Sequence, residues 1–101
     1  MELNKEKARF LMKSLRYLMH PVNCKIITLL EKERELEIKN IATLLNLPKP
    51  TVSQYLVDMK NGKILITKRI NRKLNYSINP FFLDEFKMCV ENCVSIEPVI
   101  K

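Results

Sequence analysis

The chain has 101 residues, a formal net charge of +7, one Gly, one His and three Cys. That length suits one domain with a single core that needs no staples, and an odd cysteine count argues against a secreted disulfide framework. No apolar run approaches the roughly 20 residues that cross a bilayer, and MELNKEKARF lacks a signal-peptide core, so a soluble cytoplasmic protein without a membrane partner is expected.

In chain order, residues 2–19 form the first predicted helix, with Leu3, Phe10, Leu11, Leu15 and Leu18 on one stripe and Lys5, Lys7, Arg9, Lys13 and Arg16 mostly outside it. His20-Pro21 ends it, because proline lacks the amide hydrogen a helix interior needs. Pro21 suits the first turn of a second helix over 21–34, with Ile26, Ile27, Leu29 and Leu30 inward. The charged run Glu31 to Glu37 covers that helix end and a solvated connection. Ile38, Ile41, Leu44 and Leu45 recur at helical spacing, which predicts a short third helix ending near Asn46. Leu47-Pro48-Lys49-Pro50 is the turn, since both prolines are tolerated only within the first turn of the next helix. That fourth helix, 49–61, turns Val52, Leu56 and Met59 inward, and Asn61-Gly62 stops it as a C-terminal glycine usually does. Strand alternation over 64–70 and 73–78 surrounds Asn71-Arg72, a hairpin turn. Asn79-Pro80 opens a fifth helix, 80–94, as N-cap and first residue, with Phe82, Phe86, Cys89, Val90 and Cys93 on one stripe. The expected class is mostly α with a small β-hairpin, in the order ααααββα, over one domain spanning 1–101.

A helix, a short turn, a second helix and a basic hairpin in succession read as a helix-turn-helix running into a β-wing. Between Ile38 and Leu83 there are eight Lys or Arg residues and one acid, Asp58; the remainder holds ten of each sign, so the whole +7 excess sits in this segment. Such clustering is the electrostatic footprint of a duplex-DNA binder. With Val52, Leu56 and Met59 inward, the fourth helix leaves Lys49, Thr51, Ser53, Gln54 and Asp58 available outside. A Gln amide can bond an adenine edge through two hydrogen bonds, and Ser or Thr reaches bases or phosphates. Lys68, Arg69, Asn71, Arg72 and Lys73 on the hairpin suit the flanking backbone or minor groove. Asp58 departs from the pattern and is expected to face away from phosphate. The bland alternatives are a solvated helix face and edge strands protected by Lys, which explain one or two charges but not their clustering. No nucleotide loop, nucleophile–base spacing or metal cluster is present, so the chain is expected not to be an enzyme.

The run from His20-Pro21 through Ile41-Ala42, Leu44-Leu45, Leu47, Thr51-Val52-Ser53 and Leu56 to Gly62 and Tyr76-Ser77 resembles the ArsR/SmtB family of bacterial winged-helix repressors. The likeness covers about 60 residues in matching order. It implies a homodimer whose first and fifth helices, 2–19 and 80–94, form the interface across a two-fold axis. The apolar stripes on those helices ask independently for a partner. It implies further an inverted-repeat operator in double-stranded DNA, with repression relieved by an effector. The competing reading is a winged helix serving as a protein-interaction or adaptor module without specific DNA binding.

The family's metal-sensing residues are missing. Ile38, Lys39, Asn40 and Ile41 stand where some members carry paired thiols, and the zinc-binding Asp/His/Glu set of the fifth helix has no counterpart, His20 being the single histidine. A His before Pro is here a helix-start residue rather than a ligand. Cys89 and Cys93, four apart, face one way at roughly 5–6 Å between Cβ atoms, too far for a relaxed disulfide. Such a pair suits a soft thiophilic ion or modification by extra sulfur, with Cys24 as a possible third sulfur. The resemblance implies the same, since some members sense arsenic or reactive sulfur through cysteines of the second and fifth helices. The plain alternative is that these thiols are small buried hydrophobes.

Overall fold

In a computed structural model, residues 5–95 are described, with side chains as far as Glu91. Leu3 and the Cys93 side chain, each placed on a predicted stripe, lie outside the described residues. The elements are α1 (Lys5–Leu18), α2 (Pro21–Glu33), β1 (Glu35–Glu37), α3 (Ile38–Leu45), α4 (Lys49–Asn61), β2 (Leu65–Ile70), β3 (Lys73–Ile78) and α5 (Pro80–Ser95). Every predicted helix and both hairpin strands are present. β1 is an addition: the stretch read as a solvated connection pairs antiparallel with β3, giving a three-stranded sheet in the order β1-β3-β2. Its register sets Leu36 opposite Tyr76 and Glu37 opposite Asn75. Three residues are too few to show alternation, and the chain enters the strand through Arg34 at φ 77°, a left-handed turn that no Gly or Asn announces.

The core sits where α2, α3, α4 and the sheet meet. Ile26 and Leu30 of α2, Ile41 of α3, Val52, Leu56 and Met59 of α4, Ile64 just before β2 and Leu65 at its start are all but sealed from water. Tyr76 and Phe82 close the cluster, and burial pushes the Tyr76 phenol above its ordinary pKa. On α3 the expected inward Leu44 is 58% exposed and Ala42 is buried in its place, because the helix turns its Ile41–Ala42 edge to the core.

The inward side of α1 keeps Phe10 and Leu18 of the predicted stripe but turns toward Ser14 and Tyr17 and away from Leu15. Phe10, Ser14 and Tyr17 face the chain's own core; Ser14 is buried with its hydroxyl donated to the Phe10 carbonyl at 2.8 Å. Leu15 remains 42% exposed, and Met12 and Met19 are more open still. α1 packs on α5, where the Phe10 ring lies 5.9 Å from Phe82, and Phe82 stacks on Phe86 at 5.6 Å. Phe82, expected between two subunits, therefore belongs to the core of one chain.

Gly62 also differs from expectation in its reason for being glycine. Its φ is −79°, open to any residue, and Lys63 takes the left-handed position instead, at φ 64°. The Ile64 amide donates to Met59 and the Lys63 amide to Lys60, closing the end of α4. What crowds a side chain at 62 is the end of the Tyr17 ring, whose Cε2 would stand 2.7 Å from an added Cβ and must move aside. Asn79 then fastens the junction to α5: its Oδ1 accepts from the Phe81 amide at 3.0 Å and its Nδ2 donates to the Lys63 carbonyl at 2.9 Å.

Two stability predictions follow from these turns. Gly62→Ala should cost at most about 1 kcal/mol, because only the end of the half-buried Tyr17 side chain must move, and in a Tyr17→Leu background the same change should be close to neutral. Urea unfolding of the four proteins measures the coupling; an equal cost in both backgrounds would mean the ring is not the cause. At the hairpin tip Asn71 and Arg72 both have positive φ, 51° and 69°, the pair demanded by a two-residue I′ turn with Ile70 opposite Lys73. Arg72→Gly should therefore raise stability by about 1 kcal/mol, seen as a higher urea midpoint at unchanged slope.

Candidate nucleic-acid interface

Burial of Val52, Leu56 and Met59 fixes which side of α4 faces out. Lys49, Thr51, Gln54 and Asp58 are exposed, while Ser53 is half-buried on the flank. The helix is launched by a tight turn: Asn46 ends α3 in the left-handed region, φ 57° and ψ 47°, the Leu47 amide donates to Ala42, and Pro48 serves as N-cap. Asn can take that conformation because its short polar side chain tolerates it. Pro48 and Pro50 lie outside and in the first turn of α4, where no backbone donor is missed.

On this face Gln54 Nε2 donates to Asp58 Oδ1 at 3.3 Å, one turn along the helix. Asp58, expected to be turned from phosphate, is instead exposed on the same face as Gln54 and paired with it locally. Gln54 keeps its amide oxygen and its second N–H.

β2 packs against α4 and carries the hairpin beside it. The register divides the basic residues between the two faces of the wing. Lys68 opposite Asn75 and Ile70 opposite Lys73 lie on the outer face, whereas Arg69 opposite Leu74 continues the core-side row of Leu65 and Thr67 beyond the core. Lys68, Arg69, Asn71, Arg72 and Lys73 are all exposed. Glu37 of β1 folds back to the outer face and stands 4.0 Å from the Lys73 ammonium. This acid lies one residue outside the basic segment in sequence, and only the unpredicted strand brings it to the wing. At 4.0 Å, with Lys73 exposed and Glu37 half-buried, the pair contributes little to stability but lowers the positive field locally.

A second feature flanks α4. The corner between α1 and α2 meets Tyr55 and Asp58 across a cleft of about 390 Å³, with Lys13, Arg16 and Tyr17 on the α1 side and His20 and Asn23 at the corner. His20 occupies the N-cap position of α2 but makes no capping bond. Its ring lies 4.7 Å from that of Tyr55, and Nε2 is 3.2 Å from the phenol oxygen. Three helices contribute and the partners are 35 residues apart, so no spacing in the sequence signals the cleft.

The thiols sit in different surroundings. Cys24 is exposed, donates to the Leu18 carbonyl at 3.1 Å and shares a shallow cleft with Lys25, Thr28, Leu29, Lys32 and Leu45. Cys89 is buried on α5 with its sulfur 3.9 Å from the Lys7 carbonyl of α1. Among the described residues no group of three or more His, Cys, Asp or Glu side chains is arranged to hold a metal ion, and no helix is long and apolar enough to cross a membrane.

Comparison with known proteins agrees with this architecture. Residues 20–64, from the start of α2 through α4, match the family model described as bacterial regulatory protein, arsR family. The transcriptional repressor PagR of Bacillus anthracis is 40% identical over 65 residues, 64% of this chain and 65% of that protein, so the matched stretch spans just under two thirds of its length. Its crystal structure superposes with a TM-score of 0.72 at 32% identity, covering 84% of this chain and 98% of that one. The antimony-specific repressor AntR shares the fold at a TM-score of 0.72 and 16% identity, over 96% of this chain and 90% of that one. By its helix-turn-helix, its wing and this kinship, the chain belongs to the arsR family of bacterial regulatory proteins.

Proposed function

We propose that the chain acts as a dimeric transcriptional repressor that binds an inverted-repeat operator and is released from it by an effector. The observation that carries this reading is the exposed polar face of α4, set beside a hairpin whose tip carries Lys68, Arg69, Arg72 and Lys73. α4 enters the major groove, with Gln54 on a base edge and Lys49, Thr51 and Ser53 within reach of bases or phosphates. The wing lies along the flanking backbone or minor groove. The likeness to a protein named as a transcriptional repressor supports the regulatory sense.

Dimerisation uses the side of α1 that its own core leaves open, Leu11 and Leu15 with Met12, together with Val90 on α5. Leu18, Phe82 and Phe86 extend the apolar set but pack within the chain. A two-fold dimer then sets its two recognition helices on half-sites about one helical turn or more apart. Should a thiophilic ion or thiol modification be the signal, Cys24 meets it first, since Cys89 is sealed beneath α1.

A gel shift and footprint on the chain's own promoter region test the reading. Gln54→Ala should cost on the order of 1–3 kcal/mol and relax base preference at one position per half-site. Arg72→Ala should weaken all sequences alike and flatten the salt dependence by about one charge per subunit. An unchanged footprint and affinity for Gln54→Ala would remove α4 from the role of reader. Phe86 supports Phe82 inside the chain, so assembly is better probed at Leu15: Leu15→Glu should give a folded monomer by sedimentation. A folded monomer of the parent chain at micromolar concentration would refute the dimer.

A further inference from the structure

We propose that the cleft between the α1–α2 corner and α4 binds a small aromatic carboxylate bearing a hydrogen-bond donor, of the hydroxybenzoate class, and that its occupancy lowers operator affinity through Asp58. At about 390 Å³ the cleft lies within the range of small-molecule sites and holds one substituted ring. Tyr17 and Tyr55 line the cleft and give it aromatic walls suited to a ring. Lys13 and Arg16, three apart on α1 and hence neighbours on its surface, both line the cleft, and among the described residues they make no ion pair. Two uncommitted cations on one wall suit a carboxylate, with the Arg fork favouring a planar anion. Asp58, on the α4 wall, is an acceptor engaged by the long 3.3 Å bond from Gln54. Asn23, 5% exposed, spends its Nδ2 on the Tyr17 carbonyl at 3.0 Å, and its amide oxygen is buried without a partner. The cleft thus combines cations on one helix, aromatic walls and, in Asp58, an acceptor that suits a ligand hydroxyl or amine. A phosphodiester would meet the cations but has no hydrogen-bond donor to offer Asp58, which favours a small anion bearing one over the DNA backbone.

The coupling to DNA rests on the reading of Gln54 as a base reader. By accepting one N–H of the Gln54 amide, Asp58 holds that side chain while its oxygen and other N–H stay available for a base; Asp58 is a positioning residue. A ligand donor that occupies the Asp58 carboxylate takes this support away, and the freed Gln54 side chain must be ordered again on binding DNA.

The probe is 4-hydroxybenzoate, titrated by calorimetry and by amide NMR shifts into the full chain without DNA. Expected is one site per subunit with a Kd of about 1 mM or tighter and shifts grouped at residues 13–23 and 54–58. Benzoate, lacking the donor, and phenol, lacking the anion, should each bind at least about tenfold more weakly. Arg16→Gln should weaken binding about tenfold with an unchanged melting curve. With operator present, the ligand should reduce affinity in the parent, and Asp58→Asn should abolish that reduction while the protein still binds benzoate. Absence of 4-hydroxybenzoate binding up to about 10 mM, or equal affinity for all three probes, would overturn the site. So would Lys13→Ala and Arg16→Ala variants that keep probe binding but lose operator affinity and salt dependence, which would make the cleft a phosphate anchor. Binding of the probe by a chain that recognises no operator would sink the reading of Gln54 and leave the site standing.

Discussion

Val52, Leu56 and Met59 are each withdrawn completely from solvent, and burial of this one stripe sets the rotation of α4 about its own axis. Three large side chains removed from water are worth several kcal/mol together, roughly 1.5–3 for each, far more than any polar contact on the outer side of the helix. The rest of the interface is subordinate to that choice. With those three positions inward, Thr51, Gln54 and Asp58 have nowhere to go but out, and Tyr55 is left on the flank to meet His20. The turn before α4 and the closure after it serve the same end. Asn46 in its left-handed conformation aims the helix, and the bonds from Lys63 and Ile64 finish it where β2 begins.

Where one physical cause acted alone, the sequence was readable. The 3.6-residue recurrence of apolar side chains located α4, proline's missing donor located its start, and the two-residue turn located the hairpin tip. Where several causes competed, it was not. The leucine stripe of α1 is wide enough to serve two partners, and only three-dimensional packing decides that Phe10, Ser14 and Tyr17 face the core. A buried serine on that face has no apolar signature to find. β1 owes its existence to pairing with β3, a non-local event in a stretch too short for alternation. Gly62 could be recognised as a helix stop, but its reason, the Tyr17 ring lying over it from 45 positions away in the chain, could not. The cleft at the α1–α2 corner was invisible on the same ground, while the hairpin's cations were legible as composition.

The electrostatics are less uniform than the net charge implies. Glu37 returns to the outer face of the wing against Lys73, and Asp58 stands among the polar side chains of α4. Within a Debye length of about 8 Å at physiological salt, an acid embedded in a basic surface alters the field that an approaching polyanion meets. Acids placed this way trim non-specific attraction more than they trim specific contact, because the first depends on summed charge and the second on geometry.

Among the described residues the chain enters the left-handed region at Arg34, Asn46, Lys63, Asn71 and Arg72, and its one glycine serves at none of them. Asn is suited to such sites; Arg and Lys are not, and each costs of order 1 kcal/mol relative to a relaxed backbone. Against a total stability of about 5–15 kcal/mol for a domain of this kind, three such residues are a substantial fraction. The chain therefore retains positive charge at bends where conformational ease would favour glycine. Its heat tolerance then has room to rise by changes confined to its bends: at Arg34 and Lys63, away from the wing tip, glycine would release backbone strain while the hydrophobic core stayed as it is.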